Sequence, residues 1–510
     1  MTRFLAFLAL LFVAFPVFAQ EEQEDRSYFV GLVEDQLSTP NRQIRLNGIQ
    51  GALSSDATIG EITIADREGV WLRIVNARID WTRRALLLGR LQIATLAAER
   101  IEVTRKPLPE EGLPPPEAST GFALPELPVS ITLDQLDVQR VVFGPTVFGL
   151  ASELAINGRV RLADGSLDTA LNVTRLDGPG GTLALTATYA NDTTNLGIDL
   201  RLQEPENGIV ANLLSIENRP PVDLVVAGSG PLEQFDLQLS LDAAGERILT
   251  GQTALRRQEL GLGFNTTLDG PIASLIPERF RAFFGASTQL QASGVSKDAG
   301  GFRLDQLELT SAQLRLSAKA ETAADSFLQR LTLDAQVDNG SAEPILLPVP
   351  GQNTIDRAQL KISFGDTASD QWSGSLDIAD LNTDNFSSDS VALTFSGLAQ
   401  NLQDAANRRV SFKVDGGARG LDAPAAEVAE ALGSEITLAI DGDWRANQPV
   451  QLNRAALSGN GLSVALDGAI AALVFNGNIA VDANSIVPFS ALAGRDLAGG
   501  LRLAAQGSVN

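Results

Sequence analysis

The chain has 510 residues, of which 44% are hydrophobic, and it carries a net charge of −23. It contains no His and no Cys, which excludes imidazole bases, thiol nucleophiles, disulfides and the usual zinc and haem ligand sets. The 62 acidic residues against 39 basic ones disfavour nucleic acid as a partner of the whole chain. We therefore expect no catalytic, cofactor-binding or metal-binding residues, and we expect that the protein is not an enzyme.

Residues 1–20 have the pattern of an export signal. Arg3 precedes an apolar run from Phe4 to Phe18, and small residues before Gln20 resemble a cleavage site. The run is about fifteen residues long, shorter than the roughly twenty of a membrane-spanning helix. A cleaved signal peptide and an uncleaved signal anchor both stay open, and the body of the protein is predicted to lie beyond the membrane in either case.

Residues 21–106 are predicted to form an N-terminal helix followed by a β domain. Apolar residues at helical spacing predict an amphipathic helix over 26–38. Alternation between Gly, Asn and Asp turn signals then predicts short strands. These strands cover 43–46, 59–65, 70–81, 91–96 and 100–105, with a helical turn at 86–88.

The stretch 41–106 reverses the acidic balance of the chain, with eleven Arg or Lys against seven Asp or Glu. Such charges are usual on the solvated face of a strand-rich domain. Contact with anionic lipid headgroups near the inner membrane is the alternative.

Residues 107–128 hold seven of the chain's 23 prolines. Proline removes a backbone donor and fixes φ, so this composition resists both helix and interior strand. We predict a linker, and with it a domain boundary.

The region 129–510 alternates apolar and polar residues almost throughout. The segment Phe235–Asp242 puts Phe235, Leu237 and Leu239 on one face of a strand and polar residues on the other. Tight turns between such segments predict an antiparallel meander, because parallel neighbours would need long crossovers. Short helices are predicted at 273–284, interrupted by Pro277, and at 423–432, which suggests a repeat of several strands and one helix.

An amphipathic sheet must cover its apolar face with a second sheet, with helices, with lipid or with a bound apolar ligand. Helices are too few here, and only 5% of the chain is aromatic. The predicted fold is mainly β, an elongated antiparallel sheet curled into a taco-like groove and built from repeats with a few short helices. An ordinary core between two sheets is the alternative.

The alternating apolar residues are the candidates for the groove lining, with acyl chains as the expected ligand. Position 198, an Ile, is left unassigned. The candidates are Leu183, Leu185, Leu200, Leu202, Phe235, Leu237, Leu239, Leu241, Leu314, Leu316, Leu331, Leu333, Leu360, Ile362, Phe364, Val391, Leu393, Phe395, Ile436, Leu438, Ile440, Leu462, Val464 and Leu466.

Two stretches of the sequence resemble the TamB family, translocation and assembly module inner-membrane components of Gram-negative bacteria that are related to AsmA-like proteins. The first stretch is an ordered series between residues 49 and 103, and the second lies at 489–507. The quoted segments are Ile49-Gln-Gly-Ala-Leu, Ile59-Gly-Glu-Ile, Asp66-Arg-Glu-Gly-Val-Trp-Leu, Ile79-Asp-Trp, Leu87-Leu-Gly-Arg-Leu, Ala98-Glu-Arg-Ile-Glu-Val and Phe489-Ser-Ala-Leu-Ala-Gly-Arg-Asp-Leu-Ala-Gly-Gly-Leu, followed by Ala504-Ala-Gln-Gly.

The resemblance implies a protein tethered at the inner membrane that crosses the periplasm to an outer-membrane barrel partner of the TamA type. It implies phospholipid passage along a hydrophobic β-groove and a part in autotransporter assembly and secretion. The signal looks more cleavable than a family anchor. Residues 501–510 stop within a strand pattern, which suggests that the groove region 129–510 is truncated at its C-terminal end.

Two other functions remain open from the sequence. A secreted β-solenoid adhesin or autotransporter passenger would use the same alternation around a packed core. A glycosidase would need two carboxylates in one cleft, and the sequence places no such pair.

Overall fold

The computed structural model describes residues 34, 38–39, 42–51, 55–86, 88–108, 124, 130–341, 343–365, 369–422, 430, 432–490 and 494–509. The chain divides into two compact units, residues 1–256 and residues 257–510. Both units are built almost entirely of β-strands with a few helical turns. The predicted domain boundaries at 107–128 and at 129 stay predictions.

The strands of unit 1 are 8 to 14 residues long, and the described connections between them hold only short helices. Their bounds are β1 (Gln43–Gln50), β2 (Asp56–Asp66), β3 (Gly69–Trp81), β4 (Arg90–Val103), β5 (Ser130–Phe143), β6 (Ser152–Ala163), β7 (Ser166–Arg175), β8 (Thr182–Ala190), β9 (Asn195–Glu204), β10 (Val222–Pro231), β11 (Gln234–Ala243) and β12 (Glu246–Gln258), whose last two residues belong to unit 2.

Unit 2 continues in the same manner, with one short hairpin inserted after its fifth strand. Its strands are β13 (Gly261–Gly270), β14 (Thr288–Lys297), β15 (Phe302–Thr310), β16 (Leu314–Thr322), β17 (Leu328–Asp338), the inserted β18 (Ile345–Leu346) and β19 (Thr354–Ile355), then β20 (Arg357–Phe364), β21 (Gln371–Asn382), β22 (Ser387–Gln400), β23 (Arg409–Arg419), β24 (Glu435–Arg445), β25 (Val450–Ser458), β26 (Leu462–Ala471), β27 (Val474–Ala483) and β28 (Leu501–Val509).

Within each unit, each long strand pairs with its neighbour in the chain, and nearly every pair is antiparallel, as predicted. In unit 2 strand β17 pairs with β20, so the meander passes over the inserted hairpin. The exception is β4, which pairs in parallel with β5. The Pro-rich segment therefore connects two adjacent strands of one sheet, and this parallel pair lies at the N-terminal border of the antiparallel meander predicted for 129–510, which begins with β5.

Tight turns fix the register of the antiparallel pairs. Asp164 and Gly165 join β6 to β7 with φ values of 51° and 67°, the left-handed pair that matches the twist of a two-residue hairpin. Ala244 and Gly245 do the same between β11 and β12. The separate strands predicted at 91–96 and 100–105 are wrong, because β4 runs through both.

The helical segments lie chiefly at one edge of each sheet. They are α1 (Arg83–Leu86), α2 (Pro145–Phe148), α3 (Ile209–Leu213), α4 (Arg281–Phe284) and the 3-10 segments Ile272–Leu275, Glu278–Phe280 and Val487–Phe489. All except α1 lie in connections that share one strand end, which we call the helical edge. The opposite ends, with the connections 164–165, 191–194, 232–233, 298–301, 323–327, 365–370, 401–408, 446–449 and 472–473, form the turn edge.

The predicted helices are confirmed in part. The segment 273–284 forms three short helical pieces instead of one helix, because Pro277 interrupts it. Of the predicted helix 423–432 only Glu430 and Leu432 are described, and both are helical. Glu34 is likewise helical within 26–38. The signal at 1–20 and most of the linker lie outside the described residues.

Apolar packing covers the helical edge of unit 2. Phe283 of α4 packs with Ile345 and Ile355 of the inserted hairpin, and all three are almost fully buried. Leu314 and Val337, at the helical ends of β16 and β17, pack against this cluster. The insertion therefore covers the end of the sheet's apolar face.

The helical edge of unit 1 is fixed by polar contacts as well. The buried carboxylate of Glu204 accepts hydrogen bonds from the backbone N–H groups of Ile209 and Val210 at the start of α3, at 2.9 and 2.7 Å. Asn212 donates from its amide to the carbonyl of Phe148, 2.9 Å away, which joins α3 to α2. These bonds satisfy the free amides at the start of α3 and hold the two helices over the strand ends.

Asp66 fixes the beginning of the Pro-rich segment at the helical edge. Its side chain, only 5% exposed, makes a two-pronged ion pair with Arg105 and accepts the backbone N–H of Leu108 at 3.0 Å. The Arg105 guanidinium holds the pKa of this carboxyl well below its usual range.

We expect Asp66→Asn to destabilise unit 1 at neutral pH. Because the carboxyl's pKa is lower in the folded state, its stabilisation is complete above the ordinary value of 3.8 and is lost as the pH falls below it. The gap between wild type and variant in urea unfolding should therefore shrink below about pH 4. Asp199→Asn, which breaks the exposed pair with Arg201, should change stability little. A gap at Asp66 that is the same at pH 7 and pH 3 would contradict this account.

The predicted mainly-β fold is confirmed. Within each unit the strands form one hydrogen-bonded sheet in chain order. The alternative of a core packed between two sheets is therefore wrong within each unit. The β-solenoid alternative is wrong in its architecture, because its rungs would stack in parallel and these strands form an antiparallel meander. Among the described residues, no helix has the length and apolar composition needed to cross a bilayer.

Candidate functional site

A continuous line of apolar residues crosses all the strands of unit 1. Opposite residues of paired strands face the same side, so the register places one residue from each strand on this line. We call it the unit 1 row. It consists of Ile49, Ile59, Ala77, Ala98, Val138, Ile156, Val173, Leu183, Leu202, Leu224, Leu241 and Leu249.

Unit 2 has the same feature over its fourteen long strands, β13 to β17 and β20 to β28. A second apolar line, which we call the adjacent row, runs parallel to this unit 2 row and is displaced from it by two residues along each strand. The unit 2 row consists of Leu268, Leu290, Leu309, Leu316, Ala335, Leu360, Leu376, Leu393, Gly416, Leu438, Leu457, Val464, Val481 and Leu503. The adjacent row includes Leu307, Ala318, Leu333, Ile362, Gly374, Phe395, Val414, Ile440, Ala455, Leu466 and Ile479.

The strand pairing brings the sequence candidates of each unit onto one face. In unit 1, a second line lies beside the unit 1 row. It consists of residues that face one another on successive strands: Leu185, Leu200, Val226 and Leu239. In unit 2 the candidates fall in the two rows just named or beside them. The flanking members are Leu314, Val391, Ile436 and Leu462 toward the helical edge, and Leu331 and Phe364 toward the turn edge.

The apolar face of unit 2 is not a closed core, whereas Ala98, Val138, Leu202 and Leu241 of the unit 1 row are buried. Every residue of the unit 2 row lies in the described part of the chain, and none of their side chains is buried. Among the candidates only Leu202, Phe235 and Leu241, all in unit 1, are buried; the others are half-exposed. An apolar side chain gains roughly 1.5–3 kcal/mol on full burial. The side chains of the unit 2 row are only partly buried. An apolar partner that covered them would therefore gain part of this stabilisation on binding.

The opposite face of each sheet is polar. Ion pairs join neighbours along one strand or across two, such as Arg201 with Asp199 at 3.0 Å and Arg256 with Asp236 at 2.6 Å. Exposed pairs of this kind add little stability. Their effect is to keep this face in water, so the two faces of the sheet have opposite solvent preferences.

Aromatic residues of the apolar face are concentrated at the turn edge. Several of their rings lie directly over a glycine of the neighbouring strand. A Cβ added at Gly228 would lie 2.7 Å from the ring of Phe235, and one at Gly294 would lie 2.9 Å from Phe264. The rings are therefore laid flat on the sheet, an arrangement that pins register and leaves the middle of the face to aliphatic residues.

The sheet of unit 2 is strongly curled between β17 and β24. Phe327, next to β17, stacks on Trp444 of β24 with ring centroids 5.4 Å apart. Five strand-to-strand steps separate these strands in the sheet, which is about 24 Å on a flat surface. Trp372, on β21, also donates to the carbonyl of Ser411 on β23 at 2.8 Å. The apolar face is therefore the concave side of this segment.

Sequence reasoning missed the turn-edge aromatics and the charged group beside them. Arg408 is buried and is held by Asp325, 83 residues away in the chain. Periodicity shows which face a residue takes but not which turns meet, so no local signal identified this pair. The recurrence of Phe or Trp near strand ends, each with a Gly on the next strand, is the pattern that would have found the aromatic edge.

A pocket of about 560 Å³ lies on the polar face of unit 1 and is separate from the rows. Its carboxylates Asp199 and Asp236 are each paired with an arginine. Over the described residues, no cluster of three or more Asp or Glu has the geometry of a metal site.

We expect Gly228→Ala to destabilise unit 1 by about 1–3 kcal/mol, because the new Cβ meets both the Phe235 ring and the carbonyl of Asp236. Denaturant unfolding of the purified protein measures the effect. Gly507→Ala is the matched control, since its Cβ would meet nothing within 4 Å, and it should stay within about 0.5 kcal/mol of wild type. Equal stability of the two variants would refute the packing of Phe235 on Gly228.

The comparison with protein families gives one match. The sequence model of the YdbH-like family, described as intermembrane phospholipid transport protein YdbH, matches residues 26–508. No curated protein and no solved structure matches the chain.

The match covers almost the whole chain and confirms the resemblance drawn from the sequence in part. The family is a relative of the AsmA-like bridge proteins, as expected, but TamB itself is not confirmed. It places the protein among intermembrane phospholipid transporters and therefore in the cell envelope.

Proposed function

The chain belongs to the YdbH-like family of intermembrane phospholipid transport proteins, and from that membership we propose that the apolar rows of its two sheets carry phospholipid acyl chains between membranes. The observation that supports this most directly is the half-exposed unit 2 row. It is apolar at every strand apart from Gly416, and none of its side chains is buried.

The dimensions of the rows suit acyl chains. Strands lie about 4.8 Å apart, and residues two apart on one face of a strand are separated by about 6.6 Å. A chain that fills one leaflet of a bilayer is about 15 Å long, so it would extend over three or four strands. Two neighbouring rows then offer parallel tracks for the two chains of one phospholipid.

The polar face and the rows assign opposite roles to the two sides of the sheet. Acyl chains gain by leaving water at the rows, while the ion pairs of the other face keep the protein dispersed in the aqueous periplasm. A ligand that touches only aliphatic side chains binds without strong directional contacts. It can therefore move from strand to strand without a large barrier at any one site, which is what transport requires.

We also propose that this transport involves no turnover chemistry. A bridging partner of the TamA type at the outer membrane, a tether at the inner membrane and a part in autotransporter assembly are finer proposals. They rest on the TamB resemblance of residues 49–103 and 489–507 alone.

Photo-crosslinking amino acids test the rows directly. A crosslinker at Leu316 or Leu360 should capture phospholipid in cells, because both positions lie in the unit 2 row. The outward neighbours Arg315 and Lys361 are the matched controls and should capture none. Mass spectrometry of the crosslinked protein gives the readout, and equal capture at inward and outward positions would refute the proposal.

A charge in the row should displace lipid. Leu316→Asp puts a carboxylate where an acyl chain lies, at a cost below the roughly 2–4 kcal/mol of an Arg or Lys on a lipid-facing strand. We expect the amount of co-purified phospholipid to fall strongly, and Leu239→Asp should act likewise in unit 1. Arg315→Asp, on the polar face, should retain its lipid, and circular dichroism verifies that each variant is folded. Unchanged lipid in Leu316→Asp would contradict the assignment of the row.

A further inference from the structure

Arg408 is an unusual cation in this chain because its side chain is buried. Its guanidinium forms a two-pronged ion pair with Asp325, with one arm at 3.0 Å, and its Nε donates to the carbonyl of Leu402 at 3.0 Å. The guanidinium carbon lies 4.2 Å from the centre of the Phe327 ring. We call Arg408, Asp325, Phe327 and Trp444 the Arg408 clasp.

The clasp joins parts of the turn edge that are distant in the sheet. Asp325 and Phe327 lie in the turn 323–327, Arg408 lies in the turn 401–408, and the turn 365–370 comes between them in strand order. A hydrogen bond of 2.6 Å from Gln329 to Gln403 repeats the connection. The turns at the two ends of this curled segment are therefore held together by several contacts at once.

The apolar face lies directly behind the clasp. Trp444 pairs with Val410, which shares the inner face of β23 with Val414 of the adjacent row. Trp372 reaches over the same end to Ser411. The clasp and these rings lie at the turn end of the apolar face, which would otherwise be open to solvent beyond the turns.

We propose that the Arg408 clasp closes the turn edge of the apolar face between β17 and β24, so that a bound acyl chain leaves this segment across the strands and not past the turns. This inference rests on the proposed lipid function. Arg408 acts as a positioning residue, since it shapes the passage without contacting the acyl chain itself.

The contacts identify a fixed seal and not a gate. Arg408 is buried while the Asp325 side chain is 46% exposed, so separation of the two would leave the buried guanidinium without its counter-charge, which is costly. The guanidinium lowers the pKa of Asp325, so the pair stays charged to a lower pH than an isolated carboxyl would allow. The ring stack and the glutamine pair would also have to separate before the edge opened.

The absence of native cysteine gives a clean first test. In an Ala399→Cys background, a water-soluble thiol reagent should react slowly with the intact protein, because Ala399 pairs with Val410 behind the clasp and is buried. Arg408→Ala should raise the labelling rate at least about ten-fold, because it makes local opening easier. Arg303→Ala, which breaks an ion pair with Asp305 on the polar face, should leave the rate unchanged. If Arg408→Ala fails to fold, Phe327→Leu removes the ring and keeps the ion pair. Equal rates in wild type and the clasp variant overturn the proposal.

The second test separates a seal from a gate. The double variant Asp325→Cys/Arg408→Cys can be bridged with a bismaleimide of matching length. We expect the bridged protein to transfer phospholipid between phosphatidylethanolamine–phosphatidylglycerol vesicles at the wild-type rate, and the unbridged variant to transfer it at least several-fold more slowly. Loss of transfer on bridging overturns the seal, because the edge would then have to open. Wild-type protein that transfers nothing refutes the proposed function, while the labelling test still decides the clasp.

Discussion

In an antiparallel sheet, opposite residues face the same side, so a register error of one residue would turn every following Leu or Val of a strand to the polar face. The rows of both units exist only because register is kept through successive hairpins. Tight turns such as Asp164-Gly165 and the rings laid over Gly228 and Gly294 keep it. The continuity of the apolar surface is therefore a consequence of backbone pairing more than of any single side chain.

The two edges of the sheet limit this surface by different means. At the helical edge, short helices and the inserted hairpin bring Phe283, Ile345 and Ile355 over the strand ends. At the turn edge, where the connections are short, aromatic rings and the Arg408 clasp have the same effect in unit 2. What stays half-exposed is a strip of aliphatic residues along the middle of the strands, which explains why the apolar surface is long and narrow.

The sequence predicted those features that depend on local pattern. Period-two alternation identified the strands and the inward candidates, because a strand's faces alternate whatever its partner is. It did not predict the parallel pairing of β4 with β5, since that depends on the course of residues 104–129 through space. The alternation pattern predicted two strands where β4 is one. Ala98 and Ile101 pack into the same cluster although they are an odd number of residues apart, which breaks strict alternation within this strand.

Contacts between distant turns were also beyond the sequence. Arg408 and Asp325 are 83 residues apart, and Phe327 meets Trp444 only because the sheet curls. The short segments at 49–103 and 489–507 indicated related bridge proteins, but not the family whose model matches residues 26–508.

The meander also has a modular property. Each hairpin contributes two strands, so the addition of one lengthens a row by about 10 Å and returns the chain to the edge from which it started. Removal of a single strand would instead send every later helix to the opposite edge and leave Phe283 or Ile345 with no strand ends to cover. Within an antiparallel stretch, a row can therefore change in length only by whole hairpins if the helices are to stay at the same edge.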